Sequence, residues 1–131
     1  SFLSMSYDYE AGVCNINPYQ QKRRYLMAVL SFTAAGALAL ATYSFNLQPL
    51  MTAGVFAALM AGFEGLYQGR FSFCAGFAHQ GVRSKGEEDE TEEVNEEQLE
   101  EDREMAYRIH YYSILSSVFL TAGFYAATFT L

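Results

Sequence analysis

No charged residue lies between Tyr25 and Phe63, and none between Ile109 and Leu131. The first stretch is broken only by the polar turn Asn46-Leu47-Gln48-Pro49. A bilayer core of about 30 Å needs roughly 20 apolar residues at about 1.5 Å rise each, so three runs of spanning length are present. Cysteine and histidine are scarce at two each. One disulfide is the most the chain can form, and a single Cys2His2 zinc site is the most it can supply. The order Cys14, Cys74, His79, His110 matches no known zinc spacing, so no metal site is expected. No nucleophile–base pair, phosphate loop or internal repeat stands out, which argues against an enzyme acting alone and against a carrier built on broken helices.

What is present falls into two unlike parts. Between Gly86 and Met105 twelve acids face one base, Arg103, so the net charge of −7 comes from this block. The rest of the chain is basic on balance, yet it has no basic stripe, and nucleic acid is not expected as a partner. Glu96 to Tyr107 is rich in helix formers and can extend the third run, whereas Gly86 to Asn95 reads as linker. The acidic stretch 87–104 is a solvated charge run or a docking arm for a basic partner. The first twenty residues lack an apolar core or cleavage pattern, so no signal peptide is expected there.

The bases set a direction. Lys22, Arg23 and Arg24 precede the first run, Arg70, Arg83 and Lys85 follow the second, and Arg108 precedes the third. By the positive-inside rule the N-terminus and 71–107 face the cytoplasm, and the 46–49 turn and the C-terminus face out. The expected fold is all-α and integral to the membrane: a transmembrane helical hairpin plus a third C-terminal transmembrane helix. Residues 1–17 form an extended N-terminal segment, 18–70 the hairpin (spans about 25–45 and 49–69), 71–107 a cytoplasmic segment with the acidic linker and helix, and 108–131 the third span. Asn17-Pro18 has the chemistry of a helix start, an Asn cap before a proline whose missing N–H costs nothing in the first turn. Pro49 opens the second helix likewise.

Candidate sites are few. Small residues recur every four positions at Ser31, Ala35 and Ala39, at Gly54, Ala58 and Gly62, and at Ser113, Ser117 and Thr121; of these, Gly54/Ala58/Gly62 is the expected packing ridge. Cys14 and Cys74 fall on the same side and form a candidate thiol pair, reduced in the cytoplasm, with buried inert thiols the default. His110, at the mouth of the third span, is a candidate haem or pigment ligand, set against an interfacial role shared with Tyr111 and Tyr112. Glu64 is a candidate for a proton path or an interfacial pairing.

Cys14-Asn15-Ile16-Asn17 followed by Lys22-Arg23-Arg24, then Arg70-Phe71-Ser72-Phe73-Cys74-Ala75-Gly76-Phe77 and Gly81-Val82-Arg83, resembles an uncharacterised family of small bacterial three-span membrane proteins. That family has a Cys-Asn-Ile-Gly start, an Arg-rich approach to the first span and a Phe-Cys-Ala-Gly-Phe-Gly segment after the second. The likeness covers most of the chain, including Asp102-Arg103. Asn17 stands where the pattern has Gly, and Ala78 where it has the last Gly. The resemblance implies that the two cysteine segments belong together and supplies no activity. The expected function is therefore an accessory, scaffolding subunit among other integral membrane subunits in the lipid bilayer of a bacterial inner membrane. A respiratory or photosynthetic electron-transfer complex is the favoured context; the alternative is a small redox or metal sensor using Cys14 and Cys74.

Overall fold

A computed structural model describes residues 9–45, 50–85 and 90–130. The 46–49 turn with Pro49, the acids Glu87, Glu88 and Asp89, and Leu131 lie outside the described residues. Among those described, the chain forms four helices and one short antiparallel hairpin: α1 (Pro18–Phe45), α2 (Leu50–Phe71), α3 (Ala75–Gln80), β1 (Val82–Ser84), β2 (Thr91–Glu93) and α4 (Glu96–Thr130).

Each helix start has a local cause. Asn17 caps α1, its Oδ1 accepting from the Gln20 N–H at 2.9 Å. Asn95 and Gln98 form a reciprocal capping box at α4: the Gln98 N–H donates to Asn95 Oδ1 at 2.8 Å, and the Asn95 N–H to Gln98 Oε1 at 3.1 Å. Glu96 and Glu97 then place negative charge on the positive end of the α4 dipole. Helix α2 ends where Ser72 takes a left-handed φ of 54°. There Phe73 N–H bonds the Gln68 carbonyl and Ser72 N–H that of Gly69, closing a Schellman turn.

Helices α1 and α2 form an antiparallel pair whose closest approach is at glycines. A Cβ on Gly65 would lie 2.8 Å from the Arg24 carbonyl oxygen and 2.9 Å from Ala28 N, so the two backbones touch there. Gly69 lies under the Tyr25 ring and Gly62 under Phe32, while Gly54 has only the tip of Leu38 at 3.8 Å. Phe32 meets Phe63 edge-on at 5.0 Å between centroids. Helix α4 packs on α2, and Phe73, Ala75, Ala78, Ala106 and Ile109 make a small apolar core where α3 meets α4.

The all-helical expectation holds in its coarse form. By length and composition, α1 is the one described helix apolar enough to cross a membrane. Helix α2 carries Glu64, Gln68 and Arg70 in its last third, and α4 has a charged first third followed by serines. The linker expectation for 86–95 is revised in part: Thr91–Glu93 pairs with Val82–Ser84, in the register Val82 to Glu93 and Ser84 to Thr91.

Candidate functional site: a polar row across the helix ends

The N-terminal segment is bound to the rest of the molecule through one asparagine. Asn15 is fully buried. Its side-chain amide donates to the Cys74 carbonyl at 3.1 Å, and its Oδ1 accepts from the Cys74 N–H at 2.6 Å. Its backbone N–H reaches the Ser72 carbonyl, and its own carbonyl accepts from Ser84 N–H at 2.8 Å. One residue thus joins the N-terminal segment, the end of α2, the start of α3 and β1. This interlock also brings the two cysteine segments together. The two thiols are not joined in a disulfide. Their sulfurs have different partners: Cys14 Sγ is 3.7 Å from the Ile16 carbonyl, whereas Cys74 Sγ caps α3 by accepting from Phe77 N–H at 3.4 Å.

From Cys74 a continuous row of polar contacts crosses the helix ends. Arg24 Nη2 donates to Cys74 Sγ at 2.9 Å, and Arg24 Nε to Gln68 Oε1 at 3.2 Å. Gln68 Nε2 reaches Glu64 Oε2 at 3.5 Å, one helical turn away on the same face of α2. The other carboxylate oxygen, Oε1, contacts His110 Nδ1 from α4. His110 Nε2 in turn lies 3.1 Å from His79 Nε2, with the rings within 5° of parallel and their centroids 5.3 Å apart. A nitrogen separation about 2 Å shorter than the centroid separation means that the imidazoles meet head to head. One N–H therefore donates to the other ring's lone pair. Helices α1, α2, α3 and α4 each contribute a member or its backbone. Glu64 is largely enclosed, and His79 is exposed.

His110 does not present a free nitrogen to a haem or pigment: Nδ1 faces Glu64 and Nε2 faces His79. Among the described residues no group of three or more His, Cys, Asp or Glu side chains is placed to hold a metal ion. Of the expected packing ridge, Gly62 lies against Phe32 and Gly54 has space for a methyl. Gly65, outside that four-residue spacing, makes the tightest approach to another helix's backbone.

The acidic stretch divides as well. Glu96, Glu97, Glu100, Glu101 and Glu104 are exposed, and Glu92 pairs with Arg83. Asp102 is fully buried. It accepts from the Gly12 N–H at 2.8 Å and the Tyr9 hydroxyl at 2.9 Å. Burial pushes its carboxyl above the ordinary range, and those two donors pull it partly back. Gly12 has a φ of 72° and packs on Glu101, so the N-terminal turn rests on α4.

Asn15, Arg24 and Asp102 fall in the segments that carry the resemblance, which gives them no role, and Gln68 falls in none. Their partners stand 44 to 93 positions away, and only the Glu64/Gln68 spacing of four is visible locally. Compared with known proteins, the chain matches no family model, no curated protein and no solved structure.

Proposed function

We propose that this protein is a three-span integral membrane protein acting as an accessory subunit, with α1, α2 and the C-terminal two-thirds of α4 in the bilayer. The observation that carries this reading is the burial pattern of α4. Ser113 and Ser117 are fully buried, while Leu115, Val118, Leu120 and Phe119 stand out, Phe119 at 78% exposure. Water would favour the opposite arrangement, because exposing large apolar side chains while enclosing hydroxyls forfeits hydrophobic and solvation free energy together. Lipid favours it: tails solvate the large side chains, and small or hydroxylated residues let helices approach. Helix α1 behaves alike, burying only Gln20, Ala28, Ala35 and Thr42 and exposing Leu26, Val29, Leu30 and Leu40.

In this reading the polar interlock around Asn15 and Asp102, with the bases near it, faces the cytoplasm by the positive-inside rule. Tyr25, Tyr107, Tyr111 and Tyr112 are exposed close to that end, where an aromatic belt belongs. The apolar girth fits lipid and neighbouring subunits, and the exposed Glu face of α4 fits a basic partner. An electron-transfer assembly of a bacterial inner membrane remains the context of this reading, and Cys74, used as a helix cap, supports a structural role over a sensor. The test is extraction and purification from native membranes. Alkaline carbonate should leave the chain in the pellet, and mild detergent should release it with other integral subunits identifiable by mass spectrometry. Release by carbonate, or a chain that always purifies alone, would overturn the reading.

A further inference from the structure

We propose that the seam between α2 and α4 is a proton path whose cytoplasmic mouth is His79–His110–Glu64. The inference rests on the reading that α2 and α4 span the membrane.

The three side chains form a connected row from solvent to an enclosed carboxylate. His79 is exposed, its Nε2 lies 3.1 Å from His110 Nε2, and His110 Nδ1 contacts Glu64 Oε1. An imidazole passes a proton by accepting it on one nitrogen and releasing another from the opposite nitrogen. The transfer here runs in three steps. A hydronium ion protonates His79 at Nδ1 and leaves as water, the Nε2 proton of His79 moves to His110 Nε2, and the Nδ1 proton of His110 moves to Glu64. The histidines return to neutrality, and Glu64 holds one added proton. The other groups facing Glu64 fit this part. Gln68 holds Oε2, which leaves Oε1 for His110, and the Arg24 guanidinium stands behind Gln68.

A second observation, independent of the first, extends the path. Ser113, Ser117 and Thr121 follow His110 on the same face of α4, at steps of three, seven and eleven residues. The hydroxyl oxygens of all three are buried and have no hydrogen-bond partner. Helical hydroxyls ordinarily bond the carbonyl four residues back, and Thr33 and Thr42 of α1 do so, at 2.8 and 2.7 Å. The α4 hydroxyls forgo that outlet. Unused hydrogen-bonding capacity in an enclosed seam is what bridging water satisfies. A file of hydroxyls linked by water can pass protons by exchange along its hydrogen bonds. Helix α4 rises about 1.5 Å per residue, so Thr121 stands about 16 Å beyond His110, roughly half the bilayer core.

The full chain reconstituted in liposomes that carry a trapped pH dye tests this, with proton entry driven by a potassium diffusion potential set with valinomycin. Resistance of the incorporated protein to alkaline carbonate is checked in the same vesicles; a protein that fails to insert refutes the spanning reading, and the path with it. For inserted protein, acidification should run at least severalfold faster than in protein-free vesicles. Glu64→Gln and His110→Phe should return it to the protein-free rate. Ser117→Val should slow it, and Arg103→Gln should leave it unchanged. Circular dichroism and elution volume show whether each variant is folded, and His79→Ala, at an exposed position, gives a partial slowing free of that question. Inserted wild-type protein that is no faster than empty vesicles, or a folded Glu64→Gln variant as fast as wild type, would overturn the path.

Discussion

The end of the molecule where the N-terminal segment meets α3 and the apolar stretch of α4 beyond Ile109 treat their buried polar groups differently. At the first, Asn15, Asn17, Gln68 and Asp102 have protein partners, and the buried Ser84 hydroxyl has none. Asn15 makes four hydrogen bonds, Asp102 accepts two, and the Asn17 and Asn95 side chains cap helices. In the α2–α4 seam, Ser113, Ser117 and Thr121 are buried without one. Exposure is opposite too. Charged side chains cover α4 before Ile109, and apolar ones cover it after. One helix, α4, runs through both regimes without a break. Under the three-span proposal, that change along one helix is where water gives way to lipid.

The largest expected effect falls on the interlock. Asn15→Ala removes both side-chain bonds to Cys74 and leaves the buried Cys74 N–H unsatisfied, while the Cys74 carbonyl keeps the Ala78 N–H. At about 1–3 kcal/mol for such an orphaned group and about 1 kcal/mol for the lost bond to the carbonyl, a loss of about 3 kcal/mol is expected, read as a lower denaturant midpoint and as faster proteolysis of the N-terminal segment. A change under about 1 kcal/mol would show that this end is not held as described. Next comes the helix pair. Gly65→Ala places a methyl 2.8 Å from a backbone oxygen, which cannot swing aside, and should cost about 2 kcal/mol as overpacking does. Gly54→Ala has room and should cost far less. Equal losses at the two positions would erase the contrast between them.

The helical class was readable because its causes are local or periodic: an Asn-Pro start, an uncharged run and a stretch of helix formers each act within their own segment. The site was not readable, because its causes are distant. Asn15 meets Cys74 across 59 positions and His110 meets Glu64 across 46, and no periodicity connects them. Attention to reactive residue types singled out Cys14 and Cys74, whereas the residue that binds those two segments is the unreactive Asn15. The four-residue spacing likewise drew attention to Gly54, Ala58 and Gly62. The backbones touch at Gly65, which is selected by the crossing of two helices rather than by its spacing along one. The acidic run hid Asp102 in the same way, since only the fold separates one buried carboxylate from its solvated neighbours.

A smaller effect, confined to the contact between α4 and the N-terminal segment, is a pH dependence from Asp102. Its folded pKa lies above the ordinary value of 3.8 because burial disfavours the charged form. A carboxyl raised in the folded state contributes stability that is fully present below the unfolded pKa and is lost as pH rises through the folded one. Asp102→Asn cannot ionise, yet its Oδ1 can still accept from Gly12. The stability of the native protein minus that of Asp102→Asn should therefore fall from pH 3 towards neutrality. The other acids titrate in both proteins and cancel in the difference. Melting temperatures of the pair across pH 3–8 provide the check, and a flat difference would mean that Asp102 is not desolvated as its contacts indicate.

The smallest expected effect concerns Ser72, which closes α2 at a φ of 54° where glycine is the usual residue. A left-handed backbone costs a residue with a Cβ roughly 1–2 kcal/mol. Glycine avoids that cost but gives up about 0.5–1 kcal/mol of conformational entropy on folding. The balance favours Ser72→Gly by less than about 1 kcal/mol, a rise of a few degrees in Tm. The turn itself should not move, because Phe73 N–H to the Gln68 carbonyl and Ser72 N–H to the Gly69 carbonyl are backbone bonds. The Asn15 N–H should likewise keep its acceptor at residue 72. A fall in Tm would show that the serine side chain contributes more to this corner than its backbone conformation costs. The gain should also disappear in an Asn15→Ala background if, as the interlock implies, the 72–74 corner holds its left-handed turn only while Asn15 is bound to it.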